Sequence, residues 1–306
     1  MEKLEKRILF LLKKGPITID NIKAQAKISG SEARNVIKNL RETHNIVSKK
    51  GSYVFSNEHP KTDGSHTITT GETHHKDLYM GDTHYNSKEC DVKTIDRVIE
   101  GAYDKGVRNV FHAGDITDGY AVYRGHELAL TNLTYKGQLD MVANTLPYKK
   151  DLDYYVINGN HDWSWQIKHA GNFVKDLSEI RDDVTYLGDG QGLITKDGVK
   201  ILMAHGAGGG AYARMYKVQT FLREYLQDEE HMENLPNILN MGHYHQQAFM
   251  KYYGINTIMP GAFQDATEYT KRKGLCGPKG ACIVEYDIEK NGRKKKLKNF
   301  DTTFIN

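Results

Sequence analysis

Gly159-Asn160-His161-Asp162 follows the apolar run Tyr154-Tyr155-Val156-Ile157 and sets an amide, an imidazole and a carboxylate on consecutive residues. A run of aromatic and β-branched residues reads as a buried strand, and polar groups released at its end lie where α/β proteins collect ligands. Four other polar clusters end apolar runs in the same way. They are Gly81-Asp82-Thr83-His84, Gly114-Asp115-Ile116-Thr117-Asp118, His205 after Ile201-Leu202-Met203-Ala204, and Gly242-His243-Tyr244-His245. The chain beyond residue 76 reads as an arrangement that brings these five clusters together.

Around them, strand-like and helical stretches alternate. Leu78–Met80 is extended, and Val92, Ile95, Val98, Ile99 and Ala102 recur at helical spacing. Asn109–Ala113 is extended, 128–146 contains helical material, 173–180 is helical and 199–204 is extended. A helix over Tyr212–Leu226 precedes the strand Ile238–Met241. Strands then follow at 249–253, 255–259 and 281–288, the last paired with a Lys-rich strand across Asn291-Gly292, a favoured hairpin turn. The order predicts an α/β fold over 77–306: a two-sheet α/β sandwich flanked by helices.

The 306 residues suffice for one large domain and a small one, and 39% hydrophobic residues with 10% aromatics suit a folded chain. No apolar run approaches the length of a membrane span, and no cleavage-type site follows the charged N-terminus, so a cytoplasmic protein is expected. Cys90, Cys276 and Cys282 give neither a disulfide framework nor a common zinc spacing, and read as reduced thiols. Charge is unevenly spread. Residues 1–56 hold twelve Lys/Arg against five Asp/Glu, a net of +7, so with +3 for the whole chain the remainder carries −4. A small basic module on a mildly acidic body makes nucleic acid a candidate partner for the first part.

In that module Leu4, Ile8, Leu11 and Leu12 sit on one helical face, and Ile17-Thr18-Ile19 is extended. Asp20 is placed to cap a second helix running to Ala26, and Ser29-Gly30-Ser31-Glu32 has the spacing of a capping box opening a third. Residues 45–48 and 52–55 read as a hairpin with a basic tip. This order resembles a winged helix-turn-helix over residues 1–56. The resemblance implies a DNA-binding module, with Arg34, Lys38 and Arg41 of the third helix in the major groove and Lys49 and Lys50 of the wing on the backbone. A protein-interaction or dimerisation module, and with it a homodimer, is the other reading. Residues 57–76, polar and poor in large apolar side chains, read as a linker or surface loop.

The donors in the five clusters are carboxylates, one amide and five imidazoles, His161 among them, without a thiolate. Such hard oxygen and borderline nitrogen donors suit manganese, iron, zinc or similar ions. Asp115 has two carboxylate oxygens with which to join two ions. The ordered set D-x-H, GD-x-x-D, GNHD, H, GH-x-H resembles that of the calcineurin-like metallophosphoesterases across residues 80–262. By that resemblance Asp82, His84, Asp115 and His245 hold one divalent ion, and Asp115, Asn160, His205 and His243 the other. Mn²⁺ is the first expectation, with Fe, Zn, Ni or Co as other fits. A metal-bridged hydroxide would attack phosphorus, with His161 as general acid or phosphate-orienting imidazole and Asp118 as its carboxylate partner. Asp162 ties down its loop or joins the site.

Beyond this set, the loop Gly206–Gly210 either cradles a phosphate on backbone N–H groups, Gly208 among them and with Arg214 near, or is a plain turn. Tyr123-Arg124-Gly125-His126 lies in an insertion between the second and third clusters, where Arg124 and His126 either touch substrate or serve structure. The basic run 290–298 reads as an edge strand blunted by lysines. Together these features predict a phosphodiesterase or nuclease acting on nucleic acid. One alternative is a phosphatase or cyclic phosphodiesterase on a small nucleotide or phosphoprotein. Another is a non-catalytic DNA-binding subunit. Asp118 departs from the double-strand-break repair nucleases and sides with the phosphatase and cyclic-phosphodiesterase branches.

Overall fold

The computed structural model describes residues 4, 7–8, 11–12, 17–43, 46–49, 52–55, 65–168, 170–209, 213–228, 231–232, 234–267, 271, 277–291 and 294–306. The chain divides into two compact units, 1–61 and 62–306.

In the first unit β1 (Ile17–Thr18) leads into α1 (Ile19–Ala26) and α2 (Gly30–Thr43), followed by β2 (Ile46–Lys49) and β3 (Ser52–Phe55). The cap of α1 is Thr18, whose hydroxyl accepts the N–H of Asn21, and not Asp20. The second cap follows the expected reciprocal pattern: Glu32 accepts the N–H of Ser29 at 2.8 Å, and the Ser29 hydroxyl accepts the N–H of Glu32 at 3.2 Å. The strands form a three-stranded antiparallel sheet in the order β1-β3-β2. Ile8, Leu12, Ile22, Ala33, Val36, Ile37 and Leu40 make the core of this unit.

The second unit holds two six-stranded sheets. One consists of β5 (His74–Met80), β6 (Asn109–His112), β7 (Asp153–Asn158) and β8 (Val184–Asp189), all parallel, extended by β14 (Ala281–Asn291) and β15 (Lys294–Ile305). In the other, β10 (Val199–His205), β11 (Ile238–Gly242) and β13 (Ile255–Pro260) run parallel. Flanking them are β9 (Gln191–Lys196), β4 (Ser65–Ile68) and, on the far edge, β12 (Gln247–Tyr252). Tyr79, Phe111, Tyr155 and Ile157 from the first sheet meet Ile194, Ile201, Met203, Ile238 and Ile258 from the second. The central strands are buried on both faces, which is why they read as nearly unbroken apolar runs. Asn240 ties the layers by donating from its amide to the carbonyls of Met80 and Phe111.

Helices cover the outer faces. Packed on the first sheet are α3 (Val92–Asp104), α4 (Tyr135–Thr145), α5 (Asn160–Ile167) and α6 (Phe173–Ile180), with Ile95, Val98, Val142, Trp165, Phe173 and Leu177 buried. On the second sheet lies α7 (Tyr216–Tyr225), through Val218 and Leu222. The expected two-sheet sandwich with helices is therefore the fold of this unit. Residues 65–68, inside the polar stretch read as a linker, are strand β4, parallel to β9. Residues 184–189 and 191–196 also form strands, β8 and β9, where none was predicted, because both are only half-buried and have little apolar density. Among the described residues no helix is long and apolar enough to cross a membrane.

Candidate metal centre

The five clusters converge because each follows a strand that ends on one rim of the sandwich. Asp82 and His84 follow β5, Asp115 and Asp118 follow β6, and Asn160 and His161 open α5 directly after β7. His205 is the last residue of β10, while His243 and His245 follow β11. Turning the chain so sharply strains it: Asp82, His84, Asp115, His243 and His245 all have φ between 48° and 84°. Side chains with a Cβ adopt that region at a cost of about 1–3 kcal/mol each, and such strain concentrates where function requires it. Gly159 leaves the room needed. A Cβ there would lie 2.2 Å from Oδ1 of Asp115.

Two donor groups form, with Asp115 between them. In one, Nε2 of His84 lies 3.1 Å from Nε2 of His245, and Oδ1 of Asp82 lies 3.9 Å from the latter. In the other, Oδ1 of Asn160 is 3.0 Å from Nε2 of His205 and 2.8 Å from Nδ1 of His243. Oδ2 of Asp115 reaches both, at 3.1 Å from Nε2 of His205 and 3.8 Å from Nε2 of His84. Asp82, His84 and His245, and likewise Asp115, His205 and His243, each present ligand atoms within 4.8 Å of one another.

The hydrogen bonds behind these atoms aim them. His205 donates from Nδ1 to the carbonyl of Ala113 at 2.8 Å, and His84 donates from Nδ1 to Oδ1 of Asp118 at 2.8 Å. Such partners fix ring orientation and turn Nε2 toward the centre. Asp82 is held by the N–H of His243, 2.8 and 2.9 Å from its two oxygens. The N–H of His161 donates to Oδ1 of Asp115 at 2.7 Å.

Burial and neighbouring charges push the groups of the site in opposite directions. Burial pushes the Asp82 carboxyl up to about 8. Burial acts the same way on Asp115, but the imidazoles of His205 and His161 hold it well below the usual range. Charge on Asp115 adds to the rise at Asp82. Burial opposes charge on His205 as well, yet Asp115 lifts it to about 9. His84, His243 and His245 are driven down, mainly by burial, His243 to about 4. Imidazoles, an amide oxygen and carboxylates gathered in this way are the donor set for divalent ions of the manganese, iron or zinc type. The residues present fit two such ions.

At the edge of this group stands His161. Its Nδ1 donates to the carbonyl of Asp118 at 2.7 Å and lies 3.2 Å from Oδ1 of the same residue. Its side chain is 16% exposed, against 2% for Asp118, so the imidazole and not the carboxylate meets the opening. Burial alone would lower its pKa, but Asp115 and Asp118 raise it to about 10. Asp118 is held well below the usual range, against the effect of burial, by hydrogen bonds from His126, His161 and His84.

The remaining expectations divide. Asp162 ties down loops: it accepts the N–H groups of Gly159 at 2.8 Å, Thr117 at 2.9 Å and Ile116 at 3.2 Å. His126, expected among substrate contacts, is instead fully buried and bonded to Asp118, because the insertion folds inward at that residue. Gly208 contributes its carbonyl, which accepts from Nε2 of His243 at 2.7 Å, on the ring nitrogen opposite the one that meets Asn160. Arg124 and Arg214 are exposed on their loops. Arg34 is exposed on α2; Lys50 lies outside the described residues, as do the side chains of Lys38, Arg41 and Lys49. Sequence reading missed Gln264, whose amide donates to Ser87 and approaches Oδ1 of Asp118 at 3.4 Å. It stands far along the chain with no motif around it.

Residues 76–277 match the calcineurin-like phosphoesterase superfamily domain. The chain is 27% identical to a DNA polymerase II small subunit of Methanothermobacter thermautotrophicus, over 73% of this chain and 54% of that one. With the DNA polymerase II small subunit of Thermoplasma acidophilum it shares 24% identity, over 84% of this chain and 59% of the other. It thus spans little more than half the length of these curated relatives. Among solved structures, one described as a novel archaeal phosphodiesterase aligns at 18% identity with a TM-score of 0.41, covering 73% of this chain and 99% of that chain.

Proposed function

The chain belongs to the calcineurin-like phosphoesterase superfamily, and on that premise we propose that it is a dimetal-dependent phosphoester hydrolase whose substrate is a nucleic-acid phosphodiester. The observation that carries the reading is Asp115 reaching toward both donor groups, with His161 at their shared edge. Asp82, His84, Asp115 and His245 would hold one ion, and Asp115, Asn160, His205 and His243 the other, Mn²⁺ being the first choice. Bound there, two divalent ions lower the pKa of water and offset charge on phosphate oxygens. The protein's own part is proton management. His161 gives its Nδ1 hydrogen to the Asp118 carbonyl, so Nε2 is the nitrogen that serves the leaving oxygen. Asp118 and Asp115 favour the protonated ring and hold it in place.

Support for nucleic acid comes from the first unit. Its net charge of +7 and the exposed Arg34 on α2 suit a phosphate backbone, and its element order resembles a winged helix-turn-helix. The relatives' name, DNA polymerase II small subunit, supports work on DNA inside a larger assembly. The word "subunit" also favours a second reading, in which the chain is a non-catalytic member of such an assembly. The ligand set argues for the first, since clustered buried polar groups in strained backbone are costly to keep without a task.

Turnover decides between them. With added Mn²⁺ the protein should hydrolyse a model phosphodiester and labelled DNA, and His161→Ala should lose both activities. Monoester hydrolysis with intact DNA would move the substrate to a small phosphorylated molecule. Absence of turnover with every divalent metal, in folded protein that still binds duplex DNA, would favour the non-catalytic subunit.

A further inference from the structure

We infer that His126 is a positioning residue: it fixes Asp118 so that one carboxylate serves His84 and His161 together. This rests on the hydrolase reading for what the site does, and on its own geometry for how the site is held.

His126 opens a single 3-10 turn, His126–Ala129, within the insertion between the second and third clusters. It has no exposed surface. The N–H of Val122 points to its Nδ1 at 3.3 Å, so that nitrogen accepts and the ring proton resides on Nε2. Nε2 donates to Oδ2 of Asp118 at 3.1 Å. The ring of Tyr123 lies against it, with centroids 4.4 Å apart. The tautomer and orientation of His126 are therefore set from the insertion side.

The consequence lies on the other side of Asp118. Its Oδ1 takes the Nδ1 hydrogen of His84 at 2.8 Å and lies 3.2 Å from Nδ1 of His161. Among the described residues, His126 is the donor to Oδ2. Remove it, and a buried carboxylate oxygen loses its partner while the group gains freedom to rotate. Rotation releases the Nδ1 hydrogen of His84, and with it the aim of Nε2 toward His245. Partners one step behind a ligand typically change metal affinity or activity by about 10–100-fold when lost. Without touching substrate, the insertion thus acts on both the ligand side and the proton-transfer side.

The test uses the full chain and three proteins: wild type, His126→Leu, which removes the donor, and His126→Gln, whose amide N–H restores it. In metal-free wild type, ¹H–¹⁵N correlation of the imidazoles should show His126 with its proton on Nε2. By calorimetry with Mn²⁺ alone, His126→Leu should weaken one class of binding site by about 10-fold or more and leave the other unchanged. Its kcat on a model diester should fall by a similar factor at unchanged KM, and His126→Gln should recover most of both losses. An Nδ1–H tautomer would overturn the inference. So would unaltered Mn²⁺ binding in folded His126→Leu, or a His126→Gln as defective as His126→Leu. Should His126→Leu fail to fold, the tautomer and the Gln variant still decide. If wild type binds Mn²⁺ as described but cleaves nothing, the hydrolase reading fails, while the binding data still judge His126.

Discussion

Nε2 of His84 and Nε2 of His245 face one another across 3.1 Å. His84 already gives its Nδ1 hydrogen to Asp118, so its Nε2 turns a lone pair toward His245, burial disfavours charge on both rings, and Asp82 lies close by. A divalent ion would take these two nitrogens as ligands. Whatever binds the folded chain and not the unfolded one stabilises it, by about 2.7 kcal/mol at a hundredfold excess over Kd. Mn²⁺ should therefore raise the melting temperature and EDTA should reverse the rise, while His245→Ala should blunt the response. A melting curve indifferent to metal would contradict this reading of the facing imidazoles.

Asp162 gives a prediction about stability that is separate from chemistry. Three backbone N–H groups from two loops converge on its carboxylate. Asp162→Ala leaves them buried without an acceptor, at a cost of about 1–3 kcal/mol for the first group and less for those that relax. Urea unfolding should show a loss of about 3 kcal/mol or more, with metal affinity falling as the loops of Asp115 and Asn160 loosen. A variant as stable as wild type would mean that the loops do not depend on this residue.

Acid sensitivity should have an origin remote from the centre. Asp197 accepts from the hydroxyl of Thr70 at 2.6 Å, its N–H at 3.0 Å and the N–H of Gly71 at 3.1 Å. Burial raises its pKa, but these bonds prevail and the folded value is lowered. A carboxyl depressed on folding stabilises above its unfolded pKa, about 3.9, and that stability is lost as pH falls through the folded value. The stability difference between wild type and Asp197→Asn should be full near neutral pH and shrink below about pH 4. A difference that instead vanished toward alkaline pH would have the wrong sign for this origin.

The DNA reading of the first unit stands on charge and is tested by salt. Arg34→Ala should weaken binding to unrelated duplexes about equally and lower the slope of log K against log salt by about 1. Loss confined to one DNA sequence would make Arg34 a base contact, and no loss would remove α2 from the interface.

How much of this was legible depended on where information sits along the chain. Asp82, His84, Asp115, Asn160, His205, His243 and His245 were readable because each lies at the end of an apolar run, and strand ends in α/β folds share one rim. Helices α3 and α6 were readable from period alone, Val92–Asp104 and Phe173–Ile180 carrying clear apolar stripes. Strand β4 was not, since Ser65-His66-Thr67-Ile68 is short and polar and acquires its state only by pairing with β9. Nor was the role of His126, whose inward turn depends on how an irregular insertion folds over Asp118. Local pattern carried the candidate ligands; contacts made by tertiary folding carried what holds them.

In the proposed function Asp115 joins two half-sites into one dimetal centre. Metal content per chain after equilibrium dialysis against Mn²⁺, measured for wild type and Asp115→Asn side by side, tests it most directly. About two ions per chain are expected for wild type and at most about one for the variant, because a single amide oxygen does not serve both groups. Wild type that retains one ion or none, or Asp115→Asn that retains two, would contradict it.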